Sequence, residues 1–590
     1  MVTVFVLGFA WFTAGALSKA AYGAADREAR TGLALKRAKE ALLAYVAQTA
    51  ANGAELYPGR LPCPEIRSVV GSAAIVAGTG NPAYDGKTFE SVYGGYAGPF
   101  TTTTTPPASA PIACDNPAVG RLPWRTLGVD QLRDGYDEPL WYAAANSTGA
   151  GLTPWAWINN GDALVINPGT ANQLTYDGAP NAVIAVIVAP GAIQNTMLTP
   201  GALPAGCARV NQSARYTPPY TVGNFLECGN AASSYATIGA SPWSNDRTIS
   251  ITAAEVMTAI TGAIADRLQR QVAPALAGWD ALESANTGKS WGTTWATSFL
   301  PFASTFDTTP AANNYCGDGA ASTREGLPPT ASKSVAVCNS NWTNITPTVW
   351  AGSLSGATCA AGAAVATCSF NRVWNLLGNV TVTADAPMIA SSFRGTLQPS
   401  DVVIGGTNSG GTPATKNVTM AVSRNPDRAR VTITVTWPLL SSFADWLCCL
   451  FAPVTITFPN VADAAVLTDP KVSWFVNNNW NRWTYYQVAA GTTLGAPQPC
   501  DPGSSCITVN GLPPANGATN DKRLVLAFLG TGAVNAQVQP STNPANYLES
   551  HTAPSATYSM QVITSAFNDR LAMCPFQQTP ASGPAVVICN

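Results

Sequence analysis

The first eighteen residues, MVTVFVLGFAWFTAGALS, carry no charge, and the chain has no proline until Pro58. No other feature constrains the fold as strongly. A helix from residue 1 to about 50 would be about 75 Å long, whereas a bilayer core is about 30 Å thick. Its first third is apolar on every face and needs lipid or other helices around it. From Leu35 the apolar residues recur at 35, 38, 42 and 45, with Val46 beside them. Lys36, Arg37, Lys39 and Glu40 take the other face. This amphipathic part, 33–47, needs a globular head to lie against.

The charges flanking the apolar run are unusual. No basic residue precedes it, while Lys19, Arg27 and Arg30 follow. A signal peptide has the opposite order. An intact span with these flanks would place the rest of the chain in the cytoplasm. The cysteines argue otherwise. There are fourteen: Cys63, Cys114, Cys207, Cys228, Cys316, Cys338, Cys359, Cys368, Cys448, Cys449, Cys500, Cys506, Cys574 and Cys589. With a single histidine and no CxxC spacing, a zinc site is not expected, and no other metal or cofactor is either. Up to seven disulfides in an oxidising compartment is the better reading. A basic leader removed from before Met1 reconciles the two arguments. The expected pairs are local: Cys63–Cys114, Cys207–Cys228, Cys316–Cys338, Cys359–Cys368, Cys500–Cys506 and Cys574–Cys589. Cys448 and Cys449 are neighbours and remain over, because a bond between them would be strained.

Charged residues make up 11% of the 590, against roughly 25% in an ordinary soluble protein. Thr, Asn, Ala, Gly and Pro take their place, which suits β-rich and loop-rich architecture. A formal charge of −2 gives no reason to expect a nucleic-acid partner. Four blocks occur twice in the same order: EPLWYAAANS from 138 and RWTYYQVAAG from 482, then AVIAVIVAPGA from 182 and RLVLAFLGTGA from 523. NFLE at 224 and NYLE at 546 follow, then NDR at 245–247 and 568–570. They predict two related β-rich modules, 54–252 and 286–590, after an N-terminal segment 1–53. Between the modules, 253–285 holds a helix opened by a capping box of Thr252 and Glu255, with Pro274 expected to end it. VTVTA at 380, VTITVTW at 431 and VTITF at 454 alternate strictly and predict a β insert at about 378–460.

Catalytic combinations are scarce. His551 is the only histidine and sits in the loop-like YLESHTAPS. No nucleophile elbow or HExxH is present. Asp134, Asp137 and Glu138 are read as binding water or a neighbouring Arg. Each NDR motif is read as an Asn/Asp turn whose Arg (Arg247 or Arg570) anchors the preceding carboxylate, Glu227 or Glu549. The aromatic runs PWAW at 154–157 and NNWNRWTYY at 478–486 are read as core, with a sugar-binding face as the competing reading. The chain is not expected to be an enzyme.

ALKRAKEALLAYVA on the long helix, GRLPCPE at 59–65, GRLPWRTLG at 120–128, LRDGYDEPLWYA at 132–143 and the paired NDR blocks together resemble type IV pilin-like (prepilin-type) proteins of Gram-negative bacteria. The resemblance implies an α+β fold: a long pilin-like helix carrying a large, mostly β, disulfide-rich head of two modules. It implies that Met1 is the processed and often methylated N-terminus. Val2, Val4, Phe5, Val6, Leu7, Gly8, Phe9, Trp11, Phe12, Gly15 and Leu17 would form a filament core. Phe5 stands where the family usually carries a glutamate. The implied partners are other copies of the chain, the inner membrane before assembly and the pilus assembly machinery, with the finished filament outside the cell. A minor or tip adhesin, or an anchored periplasmic or surface carbohydrate-binding protein or enzyme, is the alternative.

Overall fold

The computed structural model describes residues 2–55, 58–59, 61–62, 64, 119–145, 174–193, 225–226, 234–235, 245–277, 300–301, 303–304, 306, 324–330, 342–350, 354–362, 365–372, 378–389, 399–406, 417–425, 428–437, 454–459, 467, 469–477, 480–489, 506–511, 519–528, 543–544, 547–548, 557–560, 570–577 and 586–587, with only the backbone over 2–21. The chain divides into two compact units, Met1–Ala263 and Ile264–Asn590.

In unit 1, helix α1 (Val2–Ala51) is continuous. The strands follow as β1 (Val119–Arg121), β2 (Trp141–Ala144), β3 (Leu174–Tyr176), β4 (Ala179–Val183), β5 (Ala185–Ala189), β6 (Ser234–Tyr235) and β7 (Arg247–Ile251). An antiparallel sheet runs β1-β2-β5-β7. A smaller sheet, β4-β3-β6, contains a parallel β3–β6 pair. One face of the main sheet (Val119, Trp141, Ala143, Val186, Val188) packs on Leu174, Val183, Phe225 and Leu226. Helix α1 lies along β5 and β7. Ala34, Leu35, Ala38, Leu42, Val46 and Ala50 are buried there, one stripe of a 3.6-residue period.

Helix α2 (Ala253–Arg267) opens with the capping box. Thr252 N donates to Glu255 Oε2 at 2.9 Å, and Glu255 N donates to Thr252 Oγ1 at 3.3 Å. It continues through a π turn, Leu268–Val272, and runs on helically over 273–277. Pro274 therefore does not end it. The π turn shifts the bonding pattern from i−4 to i−5 (Ala273 N to Leu268 O), and the proline's missing donor falls beside that shift.

Unit 2 begins its sheet with β8 (Glu325–Gly326). Eight insert strands follow: β9 (Thr343–Trp350), β10 (Leu354–Ala361), β11 (Val365–Arg372), β12 (Gly378–Ile389), β13 (Val403–Gly406), β14 (Asn417–Asn425), β15 (Arg428–Trp437) and β16 (Val454–Pro459). They pair among themselves as two four-stranded sheets, β10-β11-β16-β13 and β14-β15-β12-β9, so the insert starts well before residue 378. The chain returns as β17 (Thr484–Val488), β18 (Thr508–Asn510), β19 (Lys522–Phe528), β20 (Thr557–Ser559), β21 (Arg570–Gln577) and β22 (Val586–Val587). These close a sheet in the order β22-β21-β19-β17-β8 and a parallel β18–β20 pair.

The expected α+β, pilin-like class is corrected here. Among the described residues there are six sheets, against two helices longer than two turns. The core is built mainly by strands. Runs such as AVIVA at 185–189 and KRLVLAF at 522–528, buried at every position, supply interior strands of the two main sheets.

Candidate functional site

The head's described contacts on helix α1 begin at Arg27, and the buried stripe of the helix begins at Thr31. Residues 24–30 are exposed, and so is Tyr22, at 78%. Where the helix meets the head, the turn at 134–138 clasps it. Asp134 organises that turn: its Oδ1 accepts from Tyr136 N and Glu138 N, and its Oδ2 accepts from Gly191 N at 2.8 Å. Gly135 N donates to Thr31 Oγ1, which itself donates to Arg27 O. A Cβ on Gly135 would lie 2.1 Å from Arg27 O, so only glycine allows this approach. Arg27 sits 5.3 Å over the Tyr136 ring. Asp134 is thus a structural bracket. Arg133 bonds Asp137 O at 2.7 Å.

Two ion pairs complete the seat. Arg247 Nε meets Glu28 Oε1 at 2.9 Å, and Lys39 Nζ meets Glu255 Oε1 at 2.5 Å while donating to Ser250 O. The first NDR motif therefore anchors α1 through its Arg. Glu227, the expected partner, lies outside the described residues. Asp246 is buried, and Asn245 Nδ2 donates to Ala192 O. Burial pushes the Glu255 carboxyl up, but the Lys39 ammonium and the Thr252 donors outweigh it and hold the group below the usual range.

Sequence reasoning passed over a buried polar cluster in unit 2. Glu325 on β8 and Tyr485 and Gln487 on β17 share a face, and Tyr558 on β20 covers them. Tyr485 donates to Glu325, Tyr558 donates to Gln487, and the two phenol oxygens are 2.9 Å apart. Burial pushes both tyrosine hydroxyls up, and the Glu325 charge adds to it, so they remain donors at any physiological pH. The cluster ties β8, β17 and β20 into one layer. No spacing announces it, since its members lie 233 residues apart at the extremes, from 325 to 558.

No family model, no curated protein and no solved structure matches this chain.

The remaining expected site residues fall as follows. Val2 to Leu17 lie on α1, their side chains outside the described residues, as is Met1. Among the described residues no helix is long and apolar enough to cross a membrane, and no group of three or more ligand residues could hold a metal ion. One disulfide has both cysteines described: Cys359 and Cys368 are direct cross-strand neighbours on β10 and β11, with Cα atoms 4.0 Å apart. Cys506 and Cys574 are each held in a disulfide as well. The other ten cysteines, His551, Asn568, Asp569 and the 154–157 aromatics lie outside the described residues. Of the second aromatic run, Trp480, Trp483, Tyr485 and Tyr486 are buried.

Proposed function

We propose that this chain is a structural subunit of an extracellular filament of the type IV pilus kind, held in the inner membrane before assembly. It assembles with other copies through the apolar start of α1 and carries its two units as a displayed head. No catalytic role is assigned to His551 or to the NDR motifs. The observation that carries the reading is the seating of α1: the helix is continuous from Val2, and the head's described contacts on it run from Arg27 onward. The sequence before those contacts includes the uncharged residues 1–18, whose small positions Gly8, Ala10, Ala14, Gly15 and Ala16 let helices of neighbouring copies approach closely.

The test compares the intact chain with a version lacking residues 1–25 by negative-stain microscopy. Filaments from the intact chain and dispersed heads with an unchanged urea midpoint from the shortened one are expected. Identical filaments from both, or none from the intact chain, would sink the reading. A carbohydrate-binding role loses support, because the described aromatics of 478–486 are packed inside unit 2.

A further inference from the structure

We infer that the outer face of the insert sheet β14-β15-β12-β9 is a binding surface for ice. The inference is independent of the filament reading and goes beyond it. Strand register sets two complete rows across this sheet. One row is Thr419, Thr434, Thr381 and Thr348, and the next is Ala421, Thr432, Thr383 and Thr346. All but Ala421 are threonine, and every one of these side chains is half-buried or exposed. The alternate residues Val380, Val382, Val431, Ile433 and Val435 are buried on the opposite face. Strand preference accounts for a threonine at any single exposed position. The partner sheet β10-β11-β16-β13 shows that preference alone does not make a grid. Its outer rows are mixed: Thr358, Ser369, Thr455 and Gly405, then Ala360, Thr367, Thr457 and Val403.

Neighbouring strands lie about 4.8 Å apart, and residues facing the same way along one strand repeat every 6.8 Å or about that. The threonines therefore recur in two directions at right angles, with spacings similar to those of oxygen atoms on a prism face of ice. Each threonine offers a hydroxyl that can donate to or accept from lattice water, and a methyl that fits between water positions. β-Branching restricts χ1, so the grid is ordered before it binds and loses little rotamer freedom. Twist of about 20–25° between neighbouring strands turns the outer strands away. The flattest part is the central pair, where Thr381 and Thr383 stand beside Thr434 and Thr432. The hydroxyls of Thr381 and Thr434 lie 3.5 Å apart, and Thr383 donates to Thr346 O at 3.1 Å. The charges of the next row cancel, since Asp385 and Arg430 face each other and meet at 2.7 Å. Such a face has neither the net charge a nucleic acid needs nor the apolar patch a lipid or protein surface needs.

The experiment freezes part of a solution of the full chain slowly onto a cold surface, together with a bystander protein, and measures both in ice and liquid. Enrichment of the chain in the ice, with the bystander left in the liquid, is the expected result. Thr381→Tyr combined with Thr434→Tyr should bring the chain down to the bystander's level. The urea midpoint reports whether that variant stays folded. Thr348→Lys, at an exposed grid position, should lower the ice fraction without touching the core. Thr358→Lys, exposed on the mixed sheet, should leave it unchanged. An intact chain excluded from ice like the bystander would overturn the inference. Equal losses from Thr348→Lys and Thr358→Lys would do the same, as would an ice fraction that no grid variant moves. None of these outcomes bears on the filament test, which depends on residues 1–25.

Discussion

The main sheet of unit 1 and that of unit 2 can be laid over one another strand by strand. In the first, β1-β2-β5-β7 pairs Tyr142 with Gly120 and Ile187, and Ala189 with Arg247. In the second, β8-β17-β19-β21 pairs Tyr486 with Gly326 and Leu526, and Phe528 with Arg570. Each NDR arginine opens the last strand at the same register. The parallel pairs correspond too, Tyr176 with Tyr235 and Val509 with Tyr558, and Gly178 and Gly511 both take φ +78°. Even the helices match. Lys39 of α1 donates to Ser250 O, and Gln269 of the π turn donates to Met573 O, at equivalent points of β7 and β21.

The difference lies in what fills the shared frame. Where unit 1 has Val119, Ala143 and Trp141, unit 2 has Glu325, Gln487 and Tyr485. The same register thus tolerates an apolar layer or a closed hydrogen-bonded one. Backbone pairing sets the frame, and the layer only has to be dry or fully bonded.

The largest effect expected from breaking this comparison comes from Glu325→Ala. It removes the acceptor of a buried phenol and should cost unit 2 about 2–3 kcal/mol, read as an earlier urea midpoint. Converting the layer to an apolar one, with unit 1's residues at three positions (Glu325→Val, Gln487→Ala and Tyr485→Trp) and Tyr558→Phe to remove the remaining hydroxyl, should recover most of that loss. If the combined variant is as unstable as Glu325→Ala alone, the two layers are not interchangeable.

A smaller effect, about 1 kcal/mol, is expected for Gln269→Met, which leaves Met573 N and O without their helix partner. Lys39→Met should act at the equivalent strand position of unit 1. Hydrogen exchange at the amides of β21 and β7 would report each loss separately. Equal acceleration in both strands from either single variant would contradict the independent seats.

The smallest effect is a pH dependence that only unit 1's seat should show. The Glu255 carboxyl is held below its unfolded value, so its contribution is present above that value and lost as pH falls through the folded one. The half-exposed Lys39–Glu255 pair limits the size of the change. Exchange in β7 should quicken on acidification, and Glu255→Gln should remove that response. A response unchanged by the substitution would assign it to another group.

Several features were legible along the chain. The recurrence of buried residues on α1 from 34 to 50 follows from the 3.6-residue period, and the Thr252–Glu255 box marked the start of α2 before any packing was known. The repeated blocks occupy β2 and β17, β5 and β19, and β7 and β21. Strand alternation likewise marked β12, β15 and β16. All of these are local patterns, readable because period and capping act within a few residues. The Glu325–Tyr485–Tyr558–Gln487 cluster, the pairing of Arg247 with Glu28 and the passage of Pro274 through a helix were decided only in three dimensions. Each depends on which distant segment supplies the partner, and the free energy that selects it belongs to the packed layer. The fold class shifted for the same reason: the strands of the insert beyond the alternating runs, and their pairing into two sheets of their own, are set by long-range partners that the local pattern does not name.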